Sequence, residues 1–171
     1  VNGLGAQTAF SYNQLNDESG VYSMSYGYAY DTLGKTPGQS LNGNPYNVIN
    51  APMYAVSSLS MPDGIGGSND IWYQYADAVY SPLRGLLGYK QVAALNDATG
   101  IQTTSISDIN TTYFVPRITE QFSTGLALDT VGKVYFTDTL IPVTSNAGDK
   151  RFVHQLRKQI NLNGLTGAGS E

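Results

Sequence analysis

Gly20-Val21-Tyr22-Ser23-Met24-Ser25-Tyr26-Gly27-Tyr28-Ala29-Tyr30 places Tyr22, Met24, Tyr26, Tyr28 and Tyr30 at every second position, against Val21, Ser23, Ser25, Gly27 and Ala29. Alternation with period two is the mark of a strand whose faces differ. Just upstream, Asn16-Asp17-Glu18-Ser19-Gly20 is a turn cluster, and Ala6 to Leu15 offers an earlier strand around Phe10 and Tyr12. The two strands read as an N-terminal hairpin. The Tyr stripe itself suits a core or a subunit contact, because Tyr joins a large apolar ring to a hydroxyl that tolerates an edge.

Similar patterns recur downstream. Met53 to Met61 and Ile71 to Tyr75 are short strand candidates across the turn cluster Pro62-Asp63-Gly64-Ile65-Gly66-Gly67. Thr111 to Glu120 sets Tyr113, Val115, Arg117 and Thr119 against Thr112, Phe114, Pro116 and Ile118, and Pro116 favours an edge or a bulge. Lys133 to Ile141 sets Lys133, Tyr135 and Thr137 against Val134, Phe136 and Leu140. Leu33 to Pro52 has loop composition, with four glycines or prolines at Gly34, Pro37, Gly38 and Gly43 before Pro45 and Pro52.

Two segments read as helices. Ser81 to Leu95 carries Pro82 at a first turn and Leu83, Leu86 and Leu87 on one side, against the cost of Gly85 and Gly88. The stronger one opens at Ser145-Asn146, with Asp149 in its first turn and Phe152, Val153, Leu156 and Ile160 at helical spacing. Asn163-Gly164 closes it, and Leu165 to Glu171 forms a Gly- and Ser-rich tail. The expected fold is therefore α+β and β-dominated: hairpin, antiparallel sheet and C-terminal amphipathic helix in one domain.

Composition narrows function. A chain of 171 residues can bury roughly 70% of its unfolded surface and needs no staple. With no cysteine, disulfides, thiolate metal sites and thiol nucleophiles are excluded. Apolar stretches are far shorter than the ~20 residues of a membrane-spanning helix. Val1 is compatible with a trimmed methionine and with a processed precursor alike. Low charge, 13%, beside 19 Gly and 13 Tyr resembles sandwich and shell proteins, and a net charge of −4 confines any nucleic-acid contact to a local patch.

Catalytic motifs are missing. His154 is the only histidine and lies between Val153 and Gln155, and no Gly-x-Ser-x-Gly elbow presents a serine. The acids are scattered, so no carboxylate pair stands out for glycoside hydrolysis. Asp63 to Asp70 lacks the acidic ladder of a calcium loop and the lysine of a phosphate loop. No metal or cofactor is expected. Lys150, Arg151, Arg157 and Lys158 fall on the final helix, as its wet side or as a phosphate contact. The Tyr113/Arg117 and Lys133/Tyr135/Thr137 faces suit stacking of single-stranded bases with phosphates at the cations, although ordinary sheet-surface residues give the same pattern.

Lys133-Val134-Tyr135-Phe136-Thr137, then Leu140 to Asn146, then Asp149-Lys150-Arg151-Phe152-Val153-His154-Gln155-Leu156-Arg157-Lys158 resemble the end of the coat proteins of single-stranded RNA bacteriophages, a strand running into an amphipathic helix. Thr112 to Ile118 resembles the strand before it, and Gln7 to Tyr22 the opening hairpin. The likeness spans roughly the first 25 and last 60 residues, with a Tyr- and Gly-rich insertion at about 33–95 and no clear second C-terminal helix. It implies a capsid protein: an intertwined homodimer, helices packed through Phe152, Val153, Leu156 and Ile160, assembling into an icosahedral shell around single-stranded RNA in the bacterial host. Tyr113, Arg117, Lys133, Tyr135 and Thr137 are the RNA-facing residues chosen from alternation. The alternative is a secreted β-rich filament or pilin subunit, or a carbohydrate-binding module.

Overall fold

A computed structural model describes residues 7–16, 20–23, 47–82, 84–110, 113–125, 130–144 and 151–163. They form one ten-stranded sheet: β1 (Ala9–Gln14), β2 (Tyr22–Ser23), β3 (Asn47–Ile49), β4 (Tyr54–Pro62), β5 (Ser68–Ser81), β6 (Gly85–Asn96), β7 (Ile101–Asn110), β8 (Val115–Thr124), β9 (Thr130–Pro142) and β10 (Phe152–Asn163). From β4 onward the chain is a meander in which each strand pairs antiparallel with the next. Among the described residues there is no helix.

The expected strands over Ala6–Leu15, Met53–Met61, Ile71–Tyr75 and Lys133–Ile141 are present as β1, β4, β5 and β9. Asp63 closes the β4–β5 turn: its carboxylate accepts from the amides of Ile65 and Gly67, each at 2.9 Å, and these bonds hold its carboxyl below the ordinary carboxylate range. Most of the Tyr stripe, Met24–Tyr30, lies outside the described residues, as do Leu33–Tyr46, the cap and first turn of the expected last helix at Ser145–Lys150, and the tail.

The N-terminal hairpin does not form between β1 and β2. β1 pairs with β4, and β2 runs parallel to β5. Burial explains the detour: Leu15 at the end of β1 is 1% exposed with its amide bound to Met53 O, so the chain turns inward there. Tyr22 then anchors β2, its hydroxyl donating to Ile49 O at 2.5 Å and accepting from Ala78 N at 3.0 Å.

Both expected helices are strands. Ser81–Leu95 becomes the β5–β6 turn and β6, where Gly85 and Gly88 adopt φ of 80° and 142°, backbone that is incompatible with a right-handed helix and open to glycine. The C-terminal segment pairs with β9 along Phe152–Asn163. The physical reason is the ladder: a helix here would strip β9 of its partner, whereas a strand satisfies one whole edge of it. Leu156 faces Asp138 and Lys158 faces Thr137, so Arg157 is an extra, bulged residue. Phe152 and Leu156 thus lie on one face and Ile160 on the other, and the apolar stripe expected to pack as a unit is divided.

The core sits at the N-terminal end of the sheet. One edge of β5 is shared by β4 at residues 68–72, β2 at 75–76 and β3 at 78–80, while β6 occupies the other. Leu15, Ala55 and Ala78 are buried there, packed by Tyr22, Ile49, Met53, Tyr75 and Tyr89. Tyr75 packs at a tilt against Tyr89, ring centroids 4.6 Å apart, and donates to Val56 O at 2.9 Å. Burial, helped by the neighbouring tyrosines, pushes its hydroxyl up to about 12.

Two outcomes follow. Leu15→Ala should lower unfolding free energy by about 2–5 kcal/mol in urea titrations, the cost of an emptied buried site. A phenol raised from 10 to about 12 favours the folded state fully below pH 10 and loses that contribution as pH climbs through about 12. Alkaline melts should therefore show a drop in stability between those values that is smaller in Tyr75→Phe.

Candidate functional site

The nominated residues lie in the C-terminal half of the sheet, and the structure divides them into three groups. Tyr113 is not on a strand. It belongs to the β7–β8 turn, where its amide donates to Asn110 Oδ1 at 2.9 Å and Phe114 takes a left-handed φ of 59°. Its ring meets Phe152 of β10 at 4.8 Å.

Arg117 is committed to acids. The turn after Asn110 pairs Asn110 with Val115 and so brings Asp108 opposite Arg117. The guanidinium lies 3.6 Å from Asp108 and 3.2 Å from Asp138, whose side chain is 7% exposed. Asp108 also receives Lys90 at 3.2 Å, and Asp138 bonds His154 Nε2. Charges of alternating sign therefore cross four neighbouring strands, Lys90–Asp108–Arg117–Asp138, and His154 of a fifth bonds the last of them. Arg117 Nε is buried without a hydrogen-bond partner.

Lys133, Tyr135 and Thr137 do share a face, as their spacing predicts. Glu120 lies opposite Tyr135 and Phe122 opposite Lys133 on β8. Lys133 Nζ sits 2.7 Å from Glu120 and 4.8 Å from the Tyr135 ring centroid. The Glu120 bond, then that to Tyr135, holds the ammonium above the ordinary lysine range. On β10 the same face carries Lys158 opposite Thr137, then Ile160 and Leu162.

The acids Asp108, Glu120 and Asp138 were not singled out by sequence, although each neutralises a nominated cation. A legible signal existed: a hairpin turn centred after Asn110 fixes the Asp108/Arg117 pairing. Chemically, this network fixes strands against one another, and a phosphate reaching Arg117 or Lys133 must displace a carboxylate. His154 has Asp138 as its hydrogen-bond partner. Groupings of three metal-binding side chains do not occur among the described residues.

The β9–β10 ribbon is the most open part. Val153, Leu156, Ile160 and Leu162 are 57%, 52%, 39% and 40% exposed. Arg157 and Lys158 lie between them, neither paired with an acid among the described residues. Comparison of the chain with protein-family models, curated proteins and solved structures gives no match.

Removing the carboxylate of Asp138 leaves Arg117 partly buried with one distant acid. Asp138→Ala should cost about 3 kcal/mol in chemical denaturation, and Arg117→Leu in that background should recover part of it. A loss below about 0.5 kcal/mol, the size of a solvated surface pair, contradicts a structural role for the ladder.

Proposed function

We propose that this chain is a non-catalytic structural subunit that works by self-association in a coat or filament. The observation that carries this is the uncovered β9–β10 ribbon. Among the described residues no apolar side chain of β8, β9 or β10 is buried, and the four apolar residues of β10 named above stand in solvent. Val153, Ile160 and Leu162 share one face of the ribbon and Leu156 lies on the other, and exposed apolar surface of this kind marks interaction sites.

Sheet edges support the same reading. β1 and β10 end the strand order, and an edge of unpaired amides and carbonyls is a template for another chain. The two edges differ. β1 has no charge and exposes Phe10 and Tyr12 at 55% and 57%, while β10 carries Arg157 and Lys158. Self-pairing over the full length of β10 sets Arg157 opposite Lys158, a repulsive arrangement. An aromatic edge against a cationic one is complementary, which favours unlike edges meeting head to tail.

The RNA-phage coat protein is the more specific form of this proposal. Its helix-covered, intertwined dimer requires the C-terminal helix, which is a strand here. Its RNA would meet the Lys133, Tyr135 and Thr137 face, to which Lys158 adds a cation that pairs with no acid among the described residues. Packaging of single-stranded RNA belongs to that form alone.

Sedimentation of the purified chain, with negative-stain microscopy of the fastest fraction, tests the reading. Large uniform assemblies are expected, and Leu156→Glu with Ile160→Glu should shift them to slow species while β-sheet circular dichroism persists. Closed shells with nuclease-protected RNA support the coat form, filaments support self-association without it, and monomers at high concentration overturn the proposal.

A further inference from the structure

β4 leaves β5 after the Ser58–Trp72 pair, and β2 joins the same edge only at Tyr75. Between them the edge of β5 at Tyr73 and Gln74 is served by neither strand, and β4 continues away along β1. The sheet forks, and the fork is a groove of about 390 Å³ whose lining includes Ser11, Asn13, Ser57, Trp72 and Gln74. That volume falls at the lower end of small-ligand sites, about 300–1,000 Å³.

The lining has a distinct chemistry. Trp72 is the only tryptophan of the chain and is 50% exposed, although tryptophan is ordinarily among the more buried side chains. Around it stand hydroxyls and carboxamides, each offering donors and acceptors, and none of the described side chains that line the groove is charged. Register places these groups side by side: Ser11 faces Ser58, Ser58 faces Trp72, Trp72 faces Leu95 and Leu95 faces Gln102, a row across five strands on one face. Gln74 follows Trp72 on that face and also lines two smaller hollows beside the groove.

We propose that this fork binds a neutral oligosaccharide, with a pyranose ring stacked on Trp72 and its hydroxyls bonded by Asn13, Gln74 and the serines. The C–H face of a sugar is weakly positive and apolar, and it fits the negative face of an indole. Its equatorial hydroxyls need paired donors and acceptors, which carboxamides supply. A phosphorylated, sulfated or carboxylated ligand would find no cation among the described residues of the groove. A purely aliphatic ligand would leave the amides and hydroxyls unpaired. The site lies at the opposite end of the strand order from the β9–β10 ribbon, beside the β1 edge that lends it Ser11 and Asn13.

One tryptophan makes the test direct. Neutral oligosaccharides of glucose, mannose, galactose and N-acetylglucosamine are titrated into the full chain while Trp72 fluorescence is followed. A saturable change is expected for at least one of them, with binding weakened on the order of tenfold in Asn13→Ala or Gln74→Ala and abolished in Trp72→Ala by calorimetry. Trp72→Phe, which keeps a ring and the fold, should retain weaker binding. The absence of saturable binding by every neutral sugar overturns the proposal. So does binding unaffected by Asn13→Ala and Gln74→Ala together, or preference for a sulfated oligosaccharide over its neutral parent.

Discussion

Fourteen residues of β5 hold hydrogen bonds to four other strands, and the arrangement of the rest depends on how that one edge is divided. β4, β2 and β3 each take a separate stretch of it, which forces the N-terminal chain to cross the sheet instead of folding back on itself. The crossing is secured by buried side chains with polar ends. Tyr22 and Tyr75 place their rings in the core and their hydroxyls on backbone groups of β3, β4 and β5. Buried backbone groups must be paired, so these tyrosines are what makes a shared edge tolerable. Asp77, buried and at a φ of 54°, drops out of the ladder to β6 between the Ala76–Gln91 and Ala78–Tyr89 pairs.

Much of the sheet was legible because its strands alternate and its turns carry recognisable chemistry. Lys133–Ile141 shows its faces directly, and Asp63 with its glycines announces the β4–β5 turn. The N-terminal pairing was not legible, since partners of β1 and β2 are set by contacts with residues about fifty positions away, Ser60 and Tyr75 among them. Phe152–Asn163 misled for a local reason. The extra residue Arg157 shifts the apolar positions between faces, so that one strand with a bulge acquires the spacing of a helix. β6 misled in a similar way, its leucines grouping on a helical side while its glycines adopt positive φ.

For the candidate site, residue type was readable and electrostatic state was not. Alternation located Lys133, Tyr135 and Thr137 on a common face, but only the pairing of strands shows that Glu120 holds the lysine and that Asp108 and Asp138 hold Arg117. With these cations occupied, the remaining basic character shifts to Arg157 and Lys158 on the outermost strand. Core and exposure are distributed accordingly. Tyrosines close the N-terminal end of the sheet, whereas the C-terminal end is tied by charge across strands and leaves its apolar side chains for another surface.

Amide hydrogen exchange across Val153–Leu162, compared between dilute and concentrated protein, tests the account most directly. A strand bonded to β9 on one edge predicts alternating protection in dilute solution, with the outward amides becoming protected as the chain associates. Uniform protection of the segment at all concentrations, as in a helix, or outward amides that stay fast in the concentrated protein would contradict it.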